Sequence, residues 1–405
     1  MTTHMEMIWK LLELHDYVSL SKSERQVRRG ASMKQWQLER WPHLRSSDNN
    51  SLESREKLLQ KAAWDGALEQ FNGLLSFGVH VNSQDNRGWS PLHIAACCGN
   101  LPLIKHLLQK GASVRIQDVC HYTPLHRAAW NGHTESMECL LRNGALPDAL
   151  TSSGQSPLHL AAANGHVSAA KTLLKYKASV DAKDINKWTP LHWSSINGHT
   201  DVLDLLLSMG ASLEDTKHTG VTLLQLVVMA GCVQSTKYLL KRKVDPNITN
   251  HDGQTALHVA SESGNEKITR LLLEGGASVT ASDKDQLTPL HRAARHGSAI
   301  SVYLLLQYRA SAHDRDQLGM TPLHHSAFGG HIQTSSILLQ YGADINARDW
   351  LGKTPFHLAA EKGHSKLLQY LREAGSNLSL KTKWNETAGD LALQGNHGEV
   401  SAQCS

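Results

Sequence analysis

Thr123-Pro124-Leu125-His126-Arg127-Ala128-Ala129-Trp130-Asn131-Gly132-His133 decides how this chain is read, because the pattern returns along almost all of it. The residue in the place of Thr123 recurs at Ser90, Ser156, Thr189, Thr222, Thr255, Thr288, Thr321, Thr354 and Thr387, every step being 33 residues. No insertion or deletion interrupts the series, and a weaker copy, Leu58 to Gly66, follows Lys57 one period earlier. A fixed period of this length means a stack of like units, each too small to bury its apolar face alone. Length therefore counts units rather than globular domains.

Within a unit the motif chemistry is structural. Thr is an N-cap whose hydroxyl accepts from the first free helix amides, Pro at the next position gives up only an orphaned N–H, and Leu opens a buried stripe. Ala128-Ala129, like Ala95-Ala96 and Ala161-Ala162, let neighbouring helices approach closely. Gly132 and its counterparts end the helix in a left-handed conformation. A second helix follows, with leucine pairs such as Leu107-Leu108, Leu140-Leu141 and Leu272-Leu273 in its buried stripe.

A 33-residue period carrying Thr-Pro-Leu-His-x-Ala resembles the ankyrin repeat. The resemblance covers about eleven units from residue 57 to about 400. It implies an α-dominated solenoid in which antiparallel helix pairs are joined by β-hairpin fingers. The expected organisation is a basic, partly helical or flexible extension over residues 1–50, a repeat domain over 51–400 and a tail over 401–405.

Departures from the pattern carry information. The unit at 222–254 opens Thr222-Leu223-Leu224-Gln225-Leu226-Val227-Val228-Met229, without Pro, His or the alanine pair. The middle of the array is therefore expected to pack less tightly or bend differently there, the sequence leaving open whether the unit is a hinge or a binding site. Lys177, Lys243 and Arg309 replace the glycine after the second helix, at a cost of about 1 kcal/mol each where a left-handed cap is kept. The Lys57 unit lacks Pro and His and offers Gln60, as suits a terminal unit with one face in water.

A formal charge of +4 over 405 residues gives no strong pull toward nucleic acid or anionic membrane. The six cysteines form neither a CxxC pair nor a regular framework, which points to a reducing compartment, the cytoplasm with the nucleus as a second location. No apolar stretch approaches about 18 residues, so membrane insertion is not expected. The expected oligomeric state is a monomer.

The first 50 residues hold two apolar sets at helical spacing, and residues 17–45 carry seven basic side chains against Glu24 and Glu39. A solvated leader or a helix pair over the first repeat fits this composition, as does a docking arm. Arg28-Arg29-Gly30-Ala31-Ser32 makes Ser32 a candidate phosphorylation site.

Eight of the 25 histidines occupy the motif position and six follow the glycine or its replacement. In ankyrin repeats the motif His ties finger to helix, so these histidines are expected to be structural. No pair has the companion spacing of a zinc site, and no phosphate loop, His-Glu-x-x-His helix or nucleophile elbow is present. Neither catalytic residue, metal nor cofactor is expected.

Ankyrin arrays resemble one another in binding proteins through the concave surface of finger tips and first helices, which makes this chain an expected non-enzymatic adaptor or scaffold for one or more partner proteins. The positions just before the motif Thr and just before the glycine vary, and large or aromatic side chains there are candidate anchors. These are Trp89, Tyr122, Trp130, Trp188, Ile196, Arg295, Met320 and Phe328. For each, packing against the neighbouring repeat is the competing reading. A second function class is a nucleotide or RNA sensor using Arg127, Trp130, Trp188, Arg292 and Arg295, weakened by dispersed basic residues. The resemblance also implies asparaginyl hydroxylation candidates in the finger loop, Asn82, Asn247 and Asn346, each with Leu eight residues earlier.

Overall fold

The computed structural model describes residues 52–213 and 220–401. Helices run from Leu52–Asp65 to Gly398–Ser401, in short pairs that repeat with the sequence period. Two compact units contain them, one holding residues up to Ala161 with Ser168–Ser179, the other Ala162–Val167 with Val180 onward. The candidate phosphosite Ser32 and the basic extension lie outside the described residues.

The pair Pro124–Asn131 and Thr134–Arg142 shows how a unit is made. Thr123 caps the first helix, accepting from the His126 amide, and the His126 ring accepts in return from the Thr123 amide at 3.1 Å. His thus fills the place that Glu or Gln holds in an ordinary capping box. Gly132 ends the helix at φ 75°. At the equivalent Gly99 a Cβ would come within 2.6 Å of the His133 ring, so glycine is required by space as well as by conformation.

Leucine and alanine fill the interior. In the first unit Leu92, Leu103, Ile104, Leu107, Leu125, Met137 and Leu140 are fully buried. Near the end of the second, Phe356, Ala359, Ala360, Leu367, Leu368 and Leu371 form one cluster with Ala327, Ala388 and Ala392. Each buried leucine contributes on the order of 1.5–3 kcal/mol, more than helices of seven to nine residues can supply by themselves.

Two hydrogen-bond ladders join neighbouring repeats inside each compact unit. The motif histidine reaches 29 residues forward to a finger carbonyl: His93 to Tyr122 at 2.9 Å, His126 to Gln155 at 3.1 Å, His258 to Leu287 at 3.0 Å and His324 to Lys353 at 3.1 Å. The histidine after the glycine reaches 36 residues back: His133 to Cys97 at 3.0 Å, His331 to Arg295 at 3.1 Å and His364 to Phe328 at 3.0 Å. Where the motif His is absent, glutamine replaces it in the units of Lys57 and Thr222, and Asp390 in the last. Gln60 Nε2 donates to the Trp89 carbonyl at 3.1 Å and Gln225 Nε2 to that of Gln254 at 2.5 Å.

The same substitution serves the unit at Thr222. Its first helix, Leu223–Met229, keeps the capping box with Gln225 and buries Leu223, Leu224, Val227 and Val228. The first helix and its cap are thus retained in this unit. Lys177, Lys243 and Arg309 do adopt the left-handed conformation, at φ 66°, 60° and 67°. The fingers are tight turns, and no strand is present among the described residues.

Candidate functional site

The fingers are built on a periodic acid. Asp118 Oδ1 accepts from the amides of Cys120 and Tyr122, both at 2.9 Å, while its own amide donates to the Tyr122 carbonyl at 2.9 Å. Asp85, Asp184, Asp283, Asp316 and Asp349 repeat the arrangement. The second carboxylate oxygen takes a donor nine residues on wherever that position supplies one. Arg127 pairs with Asp118 at 2.5 Å, Trp193 Nε1 with Asp184 at 3.1 Å, Arg292 with Asp283 at 2.7 Å and His325 with Asp316 at 2.8 Å. These acids escaped the sequence reading, although their period and the nine-residue offset to a polar position were there to be found.

The donors reshape the predicted surface. The Arg127 guanidinium lies 4.3 Å from the Trp89 ring centroid and 4.2 Å from that of Tyr122, packed between the two. Tyr122 is left 8% exposed. Trp188 is 9% exposed and meets Trp193 edge-on, with centroids 5.2 Å apart. Leu287 is buried as well. At Tyr122 and Trp188 the residue before the cap therefore packs inward, and the expectation of a large apolar group presented to a partner does not hold there.

Other predicted anchors remain accessible in part. Trp89, stacked on Trp64 at 6.1 Å, is half-buried, as are Trp130, Ile196, Arg295 and Met320. Phe328 is 38% exposed, with the Lys362 ammonium 4.7 Å above its ring. Trp89 and Trp130 belong to the first compact unit and Ile196, Arg295, Met320 and Phe328 to the second, on first helices or at finger bases. The RNA candidates fare worse, since Arg127 and Arg292 are engaged by buried carboxylates and Trp188 is covered.

The hydroxylation candidates share one role. Asn82, Asn247 and Asn346 each accept through Oδ1 from an amide in the next repeat, those of Ser113, Ser278 and Asn377, at 2.7–2.8 Å. Asp148 and Asp181 do the same toward Ser179 and Ser212.

Electrostatics follows burial. Desolvation lowers His93, His126, His291 and His324 to about 4, so the imidazoles that tie the ladder are neutral near pH 7. Burial pushes the Asp349 carboxyl above its ordinary value. It also pushes Asp316 upward, but the His325 hydrogen bond and the finger amides outweigh it, and Asp316 ends below. Among the described residues no group of His, Cys, Asp and Glu is arranged to hold a metal ion.

Surface exposure also appears where the sequence reading did not look. The residues one and two positions after the finger acid, or after Thr382 in its place, stand at the tips: Val119, Ile185, Leu318, Trp350 and Trp384 are each more than half exposed.

The family model for ankyrin repeats matches residues 59–151, 138–217, 224–316 and 290–382. The chain belongs to the ankyrin-repeat family. The ladder of motif histidines is thus the wiring of an ankyrin array, and such repeats are generally protein–protein interaction modules without catalysis. Curated proteins compared with the chain gave no match. No helix among the described residues is long and apolar enough to cross a membrane.

Proposed function

We propose that this ankyrin-repeat protein is a non-enzymatic intracellular adaptor that binds partner proteins through its fingers and the variable positions of its first helices. One observation carries the reading. The motif residues are consumed by the fold, with Thr and His locked in capping boxes and ladders, whereas Trp89, Trp130, Ile196, Arg295, Met320 and Phe328 lie outside those repeated positions and stand half-buried or exposed. Aromatic and arginine side chains are the usual anchors of protein interfaces. An interface of standard size, about 1,600 Å², needs only a few neighbouring repeats.

The test is crosslinking capture from cell lysate with the full chain and with Trp130→Ala/Arg295→Ala/Phe328→Ala. Tyr122 and Trp188 are left intact because their burial would confound binding with folding. The expected result is loss of specific partners by a variant that melts like the wild type. Capture of the same proteins in the same amounts by both would refute the assigned positions.

A further inference from the structure

Three successive fingers of the second compact unit, at residues 315–320, 348–353 and 381–386, present an apolar stripe. Leu318 is 62% exposed, Trp350 55% and Trp384 60%, and Leu351 is exposed beside them. The fingers are tied to one another through the backbone: Trp350 N donates to Leu318 O at 3.1 Å and Lys383 N to Leu351 O at 2.9 Å. Trp350 is held in place, its ring over Gly319, where a Cβ would approach within 2.6 Å, and its Nε1 donating to Gln317 O at 3.2 Å. Groups this apolar on a rigid support are costly to leave in water.

Exposed cations line the stripe. Arg315, Arg348, Lys381 and Lys383 are exposed and form no ion pair among the described residues. Arg315 donates to Arg348 O at 2.7 Å and Arg348 to Lys381 O at 2.6 Å, so carbonyls orient these cations without neutralising them. The carboxylates of the same fingers are turned inward or engaged: Asp316 by His325, Asp349 by burial, Glu386 by Thr382 and Gln394. Asp314 and Asp344 flank the fingers and exposed Asp285 stands on the preceding one, so the cations form a local rim to the stripe and not a net positive face.

We propose that the fingertips from Leu318 to Trp384 dock an acidic protein segment carrying large apolar side chains about three residues apart. Packed helices lie about 10 Å apart, and three residues of a polyproline II segment rise about 9 Å and return the side chain to the same face, so each finger meets one apolar side chain. The intervening acids face the arginines and lysines. Single-stranded RNA fits less well, because Leu318 and Leu351 are aliphatic and offer no stacking platform. The inference rests on the array being a protein-binding module and specifies which surface takes which kind of partner.

The test uses the full chain and a fluorescein-labelled decapeptide with leucine or phenylalanine at every third position and glutamate elsewhere. Two peptide controls replace the glutamates by lysine or the apolar residues by serine, and labelled oligo-uridine tests the RNA arm. Saturable binding of the acidic apolar peptide alone, weakening with salt, is expected. Leu318→Ser/Trp384→Ser should weaken it at least about tenfold. Lys381→Glu/Lys383→Glu should weaken it comparably and flatten the salt dependence. Melting midpoints near that of the wild type qualify both variants, and Leu318→Ser alone serves if Trp384→Ser unfolds. Absent binding, equal binding of either peptide control, preference for RNA, or undiminished binding by the folded variants would overturn the proposal. If the full chain still captures proteins in that case, the general reading stands and only the fingertip site falls.

Discussion

His325 Nε2 sits 2.8 Å from Asp316 Oδ2, and both side chains are about 4% exposed. Nine residues after Asp349, the corresponding place is taken by Leu358, and the Asp349 pKa is raised where that of Asp316 is lowered. The array thus contains both states of one site. His325→Leu should therefore move the Asp316 pKa from below the ordinary carboxylate value to above it, as followed by carbon-detected NMR titration. The variant should lose about 1–3 kcal/mol near neutral pH, because it leaves a buried acceptor without its donor. An Asp316 titration that does not move would show that the finger amides alone hold its pKa down.

Gln60 and Gln225 predict which substitutions of the motif histidine are tolerated. Glutamine can accept from the cap amide and donate to the next finger, as Gln225 does with Thr222 N at 2.9 Å and with Gln254 O. His126→Gln should remain within about 1 kcal/mol of the wild type, whereas His126→Leu should lose about 2–4 kcal/mol by orphaning the buried Thr123 amide and the Gln155 carbonyl. Urea unfolding of the two variants measures the difference; equal losses would mean that packing, not hydrogen bonding, selects histidine here.

Acid should weaken the array before its carboxylates titrate. The buried histidines have folded pKa values of about 4, and in the unfolded chain about 6.5. Between these values the unfolded state binds more protons, so stability rises with pH. Their contribution is complete above about pH 6.5 and is lost as pH falls toward 4, by up to about 1.4 kcal/mol per pH unit for each histidine. Denaturation midpoints at pH 7.5, 6 and 5 should fall in that order, and a flat series would contradict the neutral-imidazole ladder.

Lys243 holds φ 60° at the end of the second helix of its unit, where other units place glycine. Lys243→Gly should raise stability by about 1 kcal/mol by relieving the left-handed strain, less what the freer unfolded chain takes back. Thermal melting read at several scan rates checks the sign.

Much of the fold was legible because its determinants are local and periodic. Thr123, His126 and Gly132 act within their own helix, and their reappearance every 33 residues sets the phase of the whole array. The surface was less legible. Whether the residue before the cap is buried depends on what stands five residues later: Arg127 covers Tyr122, and Trp193 packs on Trp188. The finger acids lie outside the motif, so their pairing with the position nine residues on went unread, and with it the exposed tips at Trp350 and Trp384.

The two histidine ladders also constrain how such a chain can change length. One spans 29 residues forward and the other 36 back, and each ends on the backbone of an adjacent repeat. Removing or adding a whole period between matching points restores both spans, whichever copy is involved. A change of any other size within the helices would turn a buried imidazole away from its carbonyl, whereas an exposed turn can bulge outward and leave both ladders in place. Duplication of complete units is therefore the change that lengthens the stack itself without rewiring, and an engineer extending or shortening it should cut in steps of 33.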